Sequence, residues 1–171
     1  MALLPIIVAP DPRLKIKTKP VAAVDDGLRQ FIDDMLETMY AADGIGLAAP
    51  QVGDERSIIV IDLARKDDEP EPMCLINPEI TWSSDEKREH EEGCLSLPEY
   101  FAEVVRPEAI RVKFIDRDGA EQELEADSIL ATCIQHEMDH LRGILFVDHV
   151  SAIKRGIILR KLKKAKKLAA A

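Results

Sequence analysis

The sequence contains no apolar run long enough to cross a bilayer; Ala2 to Ala9, its most hydrophobic stretch near the start, is short and interrupted by Pro5. No Lys or Arg precedes that stretch, so it does not read as a signal peptide, and a cytoplasmic location with no membrane partner is expected. Cysteine is sparse and odd in number: Cys74, Cys94 and Cys133. That excludes a disulfide framework and fits a reducing compartment, where free thiols serve metal binding or catalysis. There is no internal repeat and no Gly/Ser linker, so the 171 residues are expected to form a single domain. The stretch from Ser151 to Ala171 lacks acidic residues altogether and holds eight Lys or Arg. The first 150 residues therefore carry 15 basic and 32 acidic residues, a net of −17 within an overall −9. So acidic a body is not expected to bind DNA.

What is present reads as an ordinary soluble domain, 46% hydrophobic and 32% charged. Asp25 to Tyr40 has the i, i+3, i+4 apolar spacing of a helix, with Asp25 and Asp26 at its start and Gly44 just past its end. Ser57 to Leu63 is a β-branched run expected to be a buried strand, and the polar Arg65 to Pro72 a loop. Ala109 to Ile115 and Glu121 to Glu125 flank Asp118-Gly119 as a hairpin. Asp127 to Arg142 reads as a second helix, capped by Asp127 or Ser128 and ended by Gly143. Ile129, Cys133, His136 and His140 share one stripe of it, and Leu130, Ile134, Met138 and Leu141 a neighbouring one, so it should be central. A third helix is expected from about Val150 to Leu168. The fold class implied is α+β, with mostly antiparallel strands around a central metal-binding helix and a C-terminal helix.

The metal expectation comes from His136-Glu137-Met138-Asp139-His140, an H-E-x-x-H sequence. On a helix, i and i+4 face the same way, so two imidazoles can hold one ion while the intervening Glu reaches a water. A third ligand is needed. The metalloprotease patterns supply a downstream Glu, or a His six residues after the second His; here no Glu follows Glu137, and Phe146 stands where the His would be. A zinc endopeptidase is thus the weaker reading. Cys133 lies seven residues from His140, about 10.5 Å of helix rise, too far for a shared ion. It reads as a small residue lining the site. Cys74 reads as a buried core thiol. His90, His149 and Cys94 remain open; Cys94 follows Gly93 in Glu92-Gly93-Cys94-Leu95-Ser96-Leu97-Pro98, where a thiolate could complete a Cys-His-His set. A further segment, Gly44-Ile45-Gly46-Leu47-Ala48-Ala49-Pro50-Gln51, is not a phosphate loop. It suits a backbone that approaches a substrate closely, with Gln51 as a buried amide donor.

Taken together, Gly44 to Gln51, Glu92 to Ser96 and Gln135 to His140 resemble the peptide deformylase family, whose marks are G-I-G-L-A-A-x-Q, E-G-C-L-S and Q-H-E-x-D-H. Pro5-Ile6-Ile7 and Asp11-Pro12-Arg13-Leu14 extend the resemblance over nearly the whole chain, in the form typical of Gram-negative bacteria. The resemblance implies that Cys94, His136 and His140 hold the metal, usually Fe(II), with zinc, nickel or cobalt able to replace it. It implies hydrolysis of the N-formyl group from the initiator methionine of new polypeptides, with formate released. The metal would lower the pKa of a water, Glu137 would act as general base and acid, and the Gln51 amide with the Leu95 N–H would receive the oxyanion. Gly46 would pair with the peptide backbone; Ile45, Ile129 and Cys133 would line a pocket for the methionine side chain. Glu92 and Asp139 are candidates for orienting the ligands. Some members carry a basic residue after Pro98-Glu99 that could contact substrate; Tyr100 and Phe101 stand there instead, pointing to aromatic packing. The basic C-terminal helix implies ribosome contact by resemblance, and a monomer is expected.

Overall fold

A computed structural model describes residues 2–170. Three helices and seven strands carry the fold: α1 (Asp26–Ala41), β1 (Gly46–Ala48), β2 (Ile58–Ile61), β3 (Met73–Ser83), β4 (Lys87–Cys94), β5 (Leu97–Pro107), β6 (Ala109–Ile115), β7 (Glu121–Asp127), α2 (Ser128–His140) and α3 (Ala152–Ala170). Five strands form an antiparallel sheet in the order β1-β2-β3-β6-β7, and β4 and β5 form a separate two-stranded antiparallel ribbon. This is the expected α+β architecture.

α1 begins where Asp25 accepts a hydrogen bond from the Leu28 N–H, satisfying one of the free donors of the first turn. It buries Leu28, Ile32, Met35 and Met39 against β2 residues Ile58 and Val60. α2 covers the neighbouring part of the sheet, packing Ala131, Ile134 and Leu141 against Ile59, Ile61, Leu75, Ile110 and Val112. Its opposite side meets the ribbon, where His136 stacks on Phe146 with ring centroids 6.1 Å apart. Phe146 belongs to a third cluster that joins the N-terminal segment, β5 and α3 through Ile7, Leu97, Val104, Ile158 and Leu162. The central position of α2 follows from its having apolar residues on two sides.

One local expectation needs correcting. Asp127 occupies the N-cap of α2 but makes no capping hydrogen bond with its side chain. Instead the Ser128 hydroxyl and N–H both donate to Glu108, at 3.2 and 3.1 Å. The helix start is tied to the β5–β6 turn rather than capped from within, which fixes α2 against the ribbon. None of the helices is long and apolar enough to cross a membrane, among the described residues.

Candidate active site and metal centre

β4 and β5 are joined by a two-residue turn, Leu95-Ser96, with Cys94 paired opposite Leu97 and a register shift between Gly93 and Cys94. The turn delivers the Cys94 thiol to the face of α2 that carries His136 and His140. One ligand atom from each of these three residues lies within 4.8 Å of the others, and they form the one such group found among the described residues. Cys94 Sγ is 3.4 Å from His140 Nε2. The other candidates for the third ligand fall elsewhere. His149 Nε2 sits 2.8 Å from Asp139 Oδ2, and His90 lines the neighbouring cavity. Cys133 lines that cavity too, while Cys74 is half-buried on β3 and packs against the α1 cluster. Burial pushes both of those thiols up to about 12, keeping them protonated.

The three side chains suit a metal ion. Burial, helped by His136, brings His140 down to about 3, so its imidazole stays neutral with a lone pair to give. Of the buried side-chain polar atoms without a partner among the described residues, two belong here: His140 Nδ1 and Glu137 Oε2. Such orphans are costly in a finished core, and Glu137 Oε2 in particular marks a place for an exogenous group. Glu137 Oε1 lies 3.7 Å from His136 Nε2, so this carboxylate stands beside the ligand set without belonging to it. Burial pushes Glu137 up to about 7, only partly offset by His136.

The ligands are held from behind by buried charges. His136 Nδ1 lies 2.8 Å from Glu92 Oε1, an arrangement that fixes the ring and its tautomer. Burial alone would raise Glu92, but His136 and Arg106 outweigh it and hold its carboxyl at about 2. Arg106 donates from Nε and Nη2 to both Glu92 oxygens, at 2.7 and 3.0 Å, and from Nη1 to Asp139 at 2.8 Å. Its side chain is 6% exposed. Asp139 therefore does not orient a ligand itself; it is held by Arg106, Arg142 and His149, and secures Arg106. Sequence reasoning missed Arg106. The signal available was alternation: Ala102, Val104 and Arg106 are successive inward positions of β5, so an arginine there had to find carboxylates inside.

The glycine-rich segment closes the other side. β1 is the edge of the five-stranded sheet. A Cβ on Gly46 would stand 3.0 Å from the Glu137 side chain, so any larger residue here would push that side chain aside by a few tenths of an ångström. The Gln51 amide is 1% exposed: its oxygen accepts from the Ala48 N–H, and its nitrogen donates to Ser96 Oγ at 3.0 Å and reaches Cys94 Sγ at 3.4 Å. A cavity of about 470 Å³ opens beside the ligands, walled by Ile45, Gly46, Leu95, Ile129, Cys133 and Glu137 among others. The residues to which the resemblance gives metal, catalytic and pocket roles thus converge here, Gln51 reaching the site through Cys94 rather than lining the cavity.

A family model described as polypeptide deformylase matches residues 3–156. The chain belongs to the peptide deformylase family. It is 55% identical over 171 residues to the peptide deformylase of Methylocella silvestris, covering 98% of this chain and 87% of that one. With the Mesorhizobium japonicum peptide deformylase the identity is 53%, over 98% of this chain and 95% of the relative. Among solved structures, the peptide deformylase of Ehrlichia chaffeensis superposes with a TM-score of 0.93 at 40% identity, covering 99% of this chain and 100% of that one. A second Ehrlichia chaffeensis structure, in complex with actinonin, gives 0.92 at 43% identity, over 96% and 98% of the two chains. The chain is accordingly a metal-dependent hydrolase of the deformylase type.

Proposed function

We propose that this chain, as one catalytic domain, removes the N-formyl group from the formylmethionine of nascent polypeptides, with Cys94, His136 and His140 holding Fe(II) and Glu137 moving the protons. The observation that carries the reading is the buried, partnerless Glu137 Oε2 beside a Cys-His-His set at the end of a cavity. Zinc, nickel and cobalt suit the same mixed thiolate and imidazole ligands and would replace iron. When bound, the ion supplies Lewis acidity toward water and the formyl oxygen.

The chain's own residues account for the rest. Glu137, held near neutrality by burial, accepts the proton of the attacking water and returns it to the leaving amine. The Gln51 amide and the Leu95 N–H are the donors for charge developing on the formyl oxygen. Gln51 is pinned at its carbonyl end by the Ala48 N–H, so its nitrogen needs little rearrangement. The free edge of β1 at Gly46 pairs with the extended peptide as an added strand. Ile45, Ile129 and Cys133 receive the methionine side chain. We further propose a cytoplasmic monomer whose basic α3 contacts the ribosome. Its Lys161, Lys163, Lys164 and Lys167 are exposed and make no ion pair among the described residues, leaving them free for an anionic surface.

The test is formate release from a formyl-Met tripeptide by anaerobically prepared protein loaded with Fe(II). Formate without peptide-bond cleavage supports the proposal; peptide-bond cleavage would return the endopeptidase reading, and metal without turnover a binding protein.

A further inference from the structure

The cavity beside the metal ligands is not apolar throughout. Ile45, Ile129 and Cys133 line it, but so do His90 and Thr132, and neither of these two takes part in the chemistry at the ligands. Arg88, His90 and Glu92 are successive inward positions of β4, facing α2. The two ends of that run are tied to the helix. Glu92 Oε1 lies 2.8 Å from His136 Nδ1, and Arg88 Nη1 donates to Thr132 Oγ1 at 3.4 Å. His90 therefore faces the turn of α2 between Thr132 and His136, where Cys133 lies.

Two hydrogen-bond donors are left without acceptors there. Thr132 is 3% exposed; its oxygen accepts from Arg88, but its own hydroxyl proton has no acceptor among the described residues. Such a buried proton is destabilising until a ligand supplies the acceptor. Of the four histidines, His136, His140 and His149 each have a polar side-chain partner, whereas half-buried His90 has none among the described residues. Its ring carries at least one N–H in either tautomer. Thr132 precedes His136 by one helical turn, about 6 Å of rise, a distance comparable with the length of a methionine side chain. The tip of the first side chain, not its stem, thus meets these donors.

We propose that His90 and Thr132 make the chain accept N-formyl peptides whose first residue is methionine sulfoxide, the sulfoxide oxygen accepting hydrogen bonds from the Thr132 hydroxyl and the His90 ring. The inference rests on the deformylase reading and concerns the first side chain alone. Oxidation of methionine puts a polar oxygen on the sulfur and makes the sulfur chiral. A pocket apolar throughout would leave that oxygen buried without a partner and reject the oxidised residue. Here donors fixed on α2 and β4 meet it, and they distinguish the two epimers, since only one turns its oxygen toward them. Unoxidised methionine keeps its contacts with Ile129 and Cys133, so both forms are substrates.

The experiment measures kcat/KM for formate release from formyl-Met-Ala-Ser-amide, its norleucine analogue and its two separated sulfoxide epimers. Each ratio is taken within one enzyme sample, so metal content and folded fraction cancel. In the parent protein the better epimer should stand within about ten-fold of the methionine peptide and about five-fold above the other epimer. Thr132→Val, which keeps the shape and removes the hydroxyl, should lower the better epimer about ten-fold further relative to methionine, and His90→Leu by a comparable factor. Thr132→Ser should restore the parent ratio. Norleucine, which has no acceptor at its tip, should keep its ratio to methionine in Thr132→Val. Equal rates for the two epimers, both epimers about a hundred-fold or more below methionine in the parent, or a sulfoxide-to-methionine ratio unmoved by either substitution would overturn the proposal. A norleucine ratio falling in step with the sulfoxide ratio in Thr132→Val would trace the effect to pocket shape and overturn it too. Absence of formate from every peptide would overturn the deformylase reading itself, and this proposal with it.

Discussion

The two helices that flank the active-site ribbon are opposites. Nine of the thirteen residues of α2 are buried, including His136, Glu137, Asp139 and His140. α3 has nineteen residues and buries Ile158 and Leu162. In α2 the polar groups are shut away from water, so each must be matched by a partner or by the chemistry it performs. In α3 the charges point outward, and the helix is held by a narrow apolar stripe and by Lys166, whose Nζ donates to the Val8 and Pro10 carbonyls at 3.3 and 3.4 Å. Chemistry is thus concentrated in the buried helix, while the peripheral one can change its surface without touching the site.

Substitutions sharpen the contrast. Glu137→Ala should have the largest effect, lowering kcat/KM for a formyl-Met peptide by roughly 10³-fold or more through loss of general acid–base catalysis, with the metal retained. Arg106→Leu should come next: it leaves Glu92 and Asp139 as uncompensated buried charges, a cost of about 3–5 kcal/mol readable in urea or thermal unfolding. It should also speed metal loss, because Glu92 no longer holds His136 firmly; Arg106→Lys should restore stability only in part, having lost the two-pronged contact. Gly46→Ala should lower activity by about ten- to a hundred-fold, since the added methyl displaces Glu137 by a few tenths of an ångström or more, with little change in stability. On the other helix, Leu162→Ala should cost about 2 kcal/mol of stability, the low end for a buried leucine, with activity at ambient temperature unchanged. Smallest of all, replacing Lys161, Lys163, Lys164 and Lys167 by Gln should shift stability by no more than about 0.5 kcal/mol per site and leave turnover of free peptides intact, while weakening co-sedimentation with ribosomes at low salt. A large loss of peptide turnover in that last variant would break the comparison.

The same contrast explains what the sequence revealed. Periodicity located α1 at Asp25 to Tyr40 against an observed Asp26–Ala41, α2 at Asp127 to Arg142 against Ser128–His140, and α3 from about Val150 to Leu168 against Ala152–Ala170, because each helix keeps an apolar stripe. The β6–β7 hairpin was equally plain from Asp118-Gly119, where Gly119 adopts φ +86°. β4 was not legible, because its inward positions hold Arg88, His90 and Glu92 instead of apolar residues, so its alternation does not look like a strand. For the site, the i, i+4 histidines followed from local spacing. The place of Cys94 did not, because 42 residues separate it from His136 and only the folded ribbon brings them together; the family resemblance supplied what spacing could not. Arg106 was hidden for the same reason: it acquires its meaning from a cross-strand partner.

The most direct test of the division of labour at the site is to measure bound metal and formate release together in Glu137→Ala, prepared anaerobically beside the parent protein. About one ion per chain with formate release abolished is the expected result, since Cys94, His136 and His140 would still hold the ion while the proton acceptor is gone. Loss of the metal, or undiminished formate release with the metal in place, would contradict it.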